Sequence, residues 1–102
     1  MSEFSQPFAS VWDAIEETPE EAEHMKLRAA LMRTITQHVR DELLQRQGLS
    51  QSDAAQRLGM TQPRLSDLLR GKIGLFSIDA LVGIGAKAGM RFEITPITHH
   101  AA

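Results

Sequence analysis

The stretch "SQSDAAQRLGMTQPRLSDLLRGK", Ser50–Lys72, holds two short helical patterns joined at a glycine. Ser50 followed by Asp53 has the spacing of a capping box, in which the serine oxygen accepts from an early amide and the acid at N3 answers it. A helix is predicted to start there and to stop at Gly59, which takes the left-handed conformation without steric cost. Thr61 is the next cap, and Pro63 falls in the first turn of the following helix, where amides have no intrahelical partner. That second helix is predicted to run to about Arg70 and to close at Gly71. Leu58, Leu65 and Leu68 are spaced to point inward, and Ala55 sits where the two helices pass closest. Gln62, Pro63, Arg64, Ser66 and Asp67 are left facing outward.

Upstream, Leu27, Leu31, Ile35, Val39 and Leu43 recur every four residues, with Met32 and Leu44 beside them. They predict one long amphipathic helix from Glu20 to Gln47, ended by Gly48. Downstream, Ser77 caps a further helix over "IDALVGIGAKA", which ends at Gly89. The tail "MRFEITPI" then alternates, with Met90, Phe92 and Ile94 on one side and Arg91, Glu93 and Thr95 on the other, and predicts the chain's one clear strand. Residues 1–22 form an acidic arm with a short helix around Ser10–Glu17 capped by Ser10. The organisation is therefore an arm over 1–22, a helical domain over 23–89, a strand over 90–97 and a tail over 98–102.

A chain of 102 residues fits one domain with one modest core. It contains no cysteine, which excludes disulfides, thiolate zinc sites and cysteine nucleophiles and agrees with a cytoplasmic setting. No run of about 18 apolar residues offers a membrane span. The four histidines, His24, His38, His99 and His100, have no carboxylate or cysteine company at ligand spacing, so neither a metal site nor a cofactor is expected. With no phosphate loop, nucleophile motif or acid pair in evidence, the chain is not expected to be an enzyme. Formal net charge is −2, but the charge is partitioned. Residues 1–23 carry Glu3, Asp13, Glu16, Glu17, Glu20, Glu21 and Glu23 with no Lys or Arg. Residues 45–73 carry Arg46, Arg57, Arg64, Arg70 and Lys72 against Asp53 and Asp67, a local net of +3.

Two short helices with these demands make a helix-turn-helix, in which the first helix crosses the DNA backbone and the second enters the major groove. The outward residue types suit that task. Glutamine bonds both donor and acceptor of adenine, and arginine forks onto guanine or grips a phosphate. Gln62 and Arg64 are thus candidate base readers, and Thr61, Pro63 and Ser66 belong to the same candidate DNA-binding surface. Gln51, Ser52, Arg70 and Lys72 are placed for the phosphate backbone, assisted by helix amides. Asp67 has two readings: it accepts from a cytosine amino group, or it orients Arg64 at i−3.

The segment "LSQSDAAQRLGMTQPRLSDLLRGK" resembles the helix-turn-helix of the Xre family of bacterial and phage regulators, relatives of the lambda and 434 repressors and Cro. The resemblance rests on Gln51, Ala55, Gly59, Thr61, Gln62, Leu65, Ser66, Leu68 and Gly71. The wider layout, "FASVWDAIEETPEEAEHMKLRAAL" before the motif and "GLFSIDALVGIGAKAGMRFEITP" after it, is similar to a subgroup of HigA-type antitoxins. The chain departs from the family pattern at Leu69, where many members carry an acid, and at Pro63, which is typical of the subgroup only. The resemblance implies an all-α, lambda-repressor-like domain of about four to five helices that binds double-stranded DNA as a transcriptional repressor. It also implies an alternative main task, neutralising a RelE/HigB-like toxin while autoregulating the operon.

A lone strand cannot satisfy its edges, so Met90, Arg91, Phe92, Glu93 and Ile94 are expected to pair antiparallel with a second copy, giving a homodimer on a palindromic operator. The competing expectation is an extended segment docked on the helices. For the arm, either no fixed structure forms, or Phe8, Trp12 and Ile15 anchor a partner.

Overall fold

The computed structural model describes residues 18–98. The helix expected around Ser10–Glu17 and the last part of the tail lie outside the described residues. Four α-helices are present among the described residues: α1 (Pro19–His38), α2 (Gln51–Arg57), α3 (Gln62–Leu69) and α4 (Ile78–Lys87). Between α1 and α2 the helix continues over Val39–Arg46 with the wider π hydrogen-bonding pattern, and a 3₁₀ turn, Ile73–Leu75, leads from α3 to α4.

Each helix begins where a hydroxyl side chain takes an early amide. Ser50 Oγ accepts from Asp53 N at 3.0 Å, Thr61 Oγ1 from Arg64 N at 3.3 Å and Ser77 Oγ from Ala80 N at 3.1 Å. The reciprocal half of the capping box, expected at Ser50 and Asp53, closes instead at the start of α1. There Thr18 Oγ1 accepts from Glu21 N, and Glu21 Oε1 accepts from Thr18 N, both at 3.1 Å. Aspartate is one methylene shorter than the glutamate this geometry favours. At the joint of α2 and α3, Gly59 has φ +70°, and Met60 N donates back to Ala55 O at 2.9 Å. A side chain with a Cβ is strained there, which is why the turn needs glycine.

One core joins all four helices. Met32, Ile35, Val39 and Leu43 from the long helix meet Ala54, Ala55 and Leu58 of the α2 region, Leu65, Leu68 and Leu69 of α3, Phe76, and Leu81 and Ile84 of α4. The inward positions expected for Ala55, Leu58, Leu65 and Leu68 are all at most 2% exposed. Leu69, where the Xre pattern often has an acid, is a core residue at 7%. Leu27 is the exception in the four-residue stripe, at 43% exposed. Four residues advance an α-helix by about 400°, so each step overshoots a turn by about 40° and the stripe rotates off the core face toward the N-terminus. The wider π turn after His38 reverses that drift and keeps Val39 and Leu43 buried.

The C-terminal strand is the main correction to the fold: residues 90–98 form no β-ladder in this single chain. A strand is made by pairing, and among the described residues no second extended segment offers a partner. Met90 N instead caps α4 by donating to Gly85 O at 2.9 Å, and Met90 and Phe92 pack against the core. The alternation holds as far as Glu93 and then fails, because Ile94 is 80% exposed.

Phe92 gives α4 a testable asymmetry. A Cβ at Gly83 would meet open space, whereas one at Gly85 would lie 2.5 Å from Phe92 Cζ. Gly83→Ala should therefore stabilise the protein by about 0.5–1 kcal/mol through helix propensity. Gly85→Ala should lose that gain, because its methyl displaces the ring. Urea unfolding of both variants checks this, and equal stabilisation by the two alanines would mean that the ring does not rest on Gly85.

Candidate nucleic-acid interface

The α2–turn–α3 unit is carried on the long helix, and three side chains of that helix fix the orientation of the others. Thr36 Oγ1 donates to Leu68 O at 3.3 Å, and Arg40 Nη2 donates to Leu69 O at 2.7 Å. These are terminal carbonyls of α3, beyond the reach of the regular helical pattern, and Leu68 O also accepts from Gly71 N at 3.0 Å. His38 Nε2 donates to Ala88 O at 2.9 Å and does the same for α4. The C-terminal end of α3 is thereby anchored, and its N-terminal end faces outward.

That outward end carries the residues expected there. Thr61, Gln62 and Pro63 are exposed, with Thr61 also serving as the cap. Ser66 and Asp67 are half-buried. Gln51 and Ser52 are exposed in the first turn of α2, which packs against α3. Arg70 and Lys72 are exposed just beyond α3.

Arg64 departs from its expected outward orientation. Its guanidinium lies 4.2 Å from the centroid of the Phe76 ring, and Nη1 donates to Leu75 O at 3.3 Å. A cation over an aromatic face is held by the ring quadrupole, so the side chain is fixed in place before any ligand arrives. In the free chain Asp67 pairs with Lys72 rather than with Arg64; its Oδ1 lies 3.6 Å from Lys72 Nζ. The pair is partly exposed and contributes little to stability.

Other basic groups are also engaged. Arg46 Nε donates to Glu42 Oε2 at 2.6 Å, and this hydrogen bond holds the Glu42 carboxyl below its ordinary range. Arg57 Nη1 donates to Gln47 Oε1 at 3.1 Å. The Arg70 side chain is exposed and makes neither a hydrogen bond nor an ion pair among the described residues.

Sequence reasoning missed Phe76, the largest fully buried side chain and the platform for Arg64. It also missed Lys87, whose Nζ lies 2.7 Å from where a Cβ at Gly59 would stand, over the turn between α2 and α3. The available signal was a lysine in the last turn of α4, but nothing local ties it to a turn 28 residues earlier. Of the residues expected at a dimer contact, Met90 and Phe92 turn toward the core, and Arg91, Glu93 and Ile94 are exposed.

Among the described residues no helix is long and apolar enough to cross a membrane, and no cluster of His, Asp and Glu could hold a metal ion. No curated protein matches the chain. A family model described as a helix-turn-helix domain matches residues 14–95, which takes in every element from α1 to α4 and the segment through Ile94. With well over half its length matched, and with the α2–turn–α3 unit seated on a supporting helix, the chain belongs to this helix-turn-helix domain family.

Proposed function

We propose that the protein is a sequence-specific DNA-binding transcriptional regulator that acts as a homodimer on a palindromic operator. The observation that carries this reading is the N-terminal edge of α3. Gln62 and Pro63 are exposed and serve no part of the core, on a helix whose far end is pinned by Thr36 and Arg40. Rigid presentation of polar side chains is what base reading requires. Gln62 is the primary base reader, with Ser66 and Asp67 further along the same helix. Arg64, braced on Phe76, presents its charge at a fixed position. Arg70, Lys72, Gln51 and Ser52 grip phosphates on either side. The homodimer forms through residues 90–96, where Ile94 is left 80% exposed and the backbone makes no β-ladder in one chain. A twofold axis there sets two α3 helices for half-sites about one DNA turn apart.

Fluorescence anisotropy tests the reading, with DNA from upstream of the protein's own gene set against a scrambled duplex at low and moderate salt. A preference for the cognate fragment that survives moderate salt is expected, with a log–log salt slope of about −0.9 per phosphate engaged. Equal, weak binding to both duplexes would overturn it. The seven acids of residues 1–23 favour a second reading, in which the protein neutralises a small basic RelE/HigB-like toxin and DNA binding serves autoregulation. A neighbouring reading frame encoding such a toxin, and its co-purification with this chain, separates the two readings.

A further inference from the structure

Between the α2–α3 turn and α4 lies a cleft of about 220 Å³, bounded by Gly59, Met60 and Arg64 on one side and by Ala80, Gly83 and Lys87 on the other. The three α4 residues fall at helical spacing and share one face. Both charged side chains at the cleft are cations, and no Asp or Glu lines it. A hollow walled by one sign of charge focuses its field and gathers counter-ions. Its two cations repel each other until an anion comes between them.

Each cation is set to receive one. The Arg64 guanidinium is held 4.2 Å from the centroid of the Phe76 ring, and Nη1 donates to Leu75 O. Stacking uses the face of a guanidinium and leaves its in-plane N–H groups, of which Leu75 takes one. Lys87, in the last turn of α4, reaches across the cleft, with Nζ 2.7 Å from where a Cβ at Gly59 would stand. Its ammonium has no hydrogen-bond or ion-pair partner among the described residues. A Cβ at Gly83 would meet nothing within 4 Å, so the space between is open. A water takes about 30 Å³, and the cleft therefore has room for a whole phosphate group.

We infer that this cleft receives one backbone phosphate of the bound DNA, with Lys87 and Arg64 donating to its oxygens. The inference rests on the operator-binding reading and extends that interface from the α2–α3 unit to α4. Position supports it. Lys87 Nζ lies over Gly59, and the three residues from there to Gln62 span at most about 11 Å. The major groove is about 12 Å wide and bordered by phosphates, so a cation within that reach of a base-reading side chain meets the groove wall. Of the two tasks open to an arginine here, guanine or phosphate, Arg64 takes the second. A side chain braced on a ring sets the register of the protein on the duplex, which is the work of phosphate contacts.

Anisotropy titrations of the full chain with the cognate and scrambled duplexes, at several salt concentrations, test this. Lys87→Ala should weaken both duplexes alike, keep the ratio between them, and make the log–log salt slope shallower by about 0.9 per bound chain. Lys87→Arg should keep the slope. Gly83→Leu retains every charge but fills the cleft, and should flatten the slope as Lys87→Ala does, with circular dichroism confirming a folded helical protein. Lys26→Ala removes an exposed lysine that does not line the cleft, and should leave the slope unchanged. An unaltered slope in Lys87→Ala, with the wild type still preferring the cognate duplex, would overturn this inference and leave operator binding standing. Equal flattening by Lys26→Ala would reduce the effect to net charge and overturn it too. Equal, weak binding of both duplexes by the wild type would remove the operator reading, and the phosphate site with it.

Discussion

Replacing Phe76 with alanine is expected to lower the unfolding free energy by about 3–5 kcal/mol, the usual cost of emptying a buried phenylalanine site. Phe76 is 1% exposed and sits where the 3₁₀ turn passes into α4, in contact with a core to which every helix contributes. Small domains have only about 5–15 kcal/mol in total. With about 4–8 °C of melting temperature lost per kcal/mol at this size, the midpoint should fall by at least about 12 °C. The second consequence is local. The ring carries the Arg64 guanidinium 4.2 Å from its centroid, so the alanine variant frees that side chain even at temperatures where it stays folded. Phe76→Leu separates the two effects, because it keeps most of the apolar volume and removes the aromatic face. Thermal unfolding reads the first effect and the Arg64 side-chain NMR signals the second. A loss below about 1 kcal/mol in Phe76→Ala would show that the site is not packed as described.

Two substitutions at the proposed interface should behave differently from each other. Gln62→Ala is expected to remove about 1–3 kcal/mol of preference for the operator over a scrambled duplex, roughly a 5- to 150-fold loss, and to leave the salt dependence unchanged. Gln62 is exposed in the first turn of α3 and is not part of the core, so its loss should leave the fold intact. Lys72→Ala should weaken both duplexes alike and make the log–log salt slope shallower by about 1. Lys72 sits 3.6 Å from Asp67, so its removal also exposes an unpaired carboxylate to the phosphates and deepens the loss. Anisotropy titrations at several salt concentrations distinguish the patterns. A Gln62→Ala variant that keeps the full operator preference would remove Gln62 from the reading set.

Most of what was legible in the sequence is chemistry that acts over three or four residues. Ser50, Thr61 and Ser77 cap the helices expected of them, because a hydroxyl and an amide three positions on meet whatever the rest of the chain does. Gly48, Gly59, Gly71 and Gly89 all take positive φ at the expected helix ends. The inward leucines of α2 and α3 follow from the same short-range geometry. Long-range partners were not legible. Arg64 was expected outward because its neighbours in sequence leave it there, yet Leu75 and Phe76 hold it from the next turn of chain. Arg40 reaches Leu69 across 29 positions, and no periodicity signals that. The strand is the opposite case. Its alternation is real as far as Glu93, but a ladder takes two strands and no second extended segment offers a partner among the described residues.

The π segment over Val39–Arg46 bears on how this protein can vary in length. A π turn amounts to one residue more than an α turn would use, absorbed inside the helix. Deleting a residue there would let the segment wind as an ordinary α-helix while the turns on either side keep their register, so α1 and the helices downstream would stay where they are. In the regular part of α1 the same deletion would turn everything downstream by about 100° and carry the core residues off their face. Loops accept insertions and deletions at small cost. Among the helical parts of the chain this segment is therefore the one that can absorb a change of length, and the regular turns of α1 should vary by substitution alone.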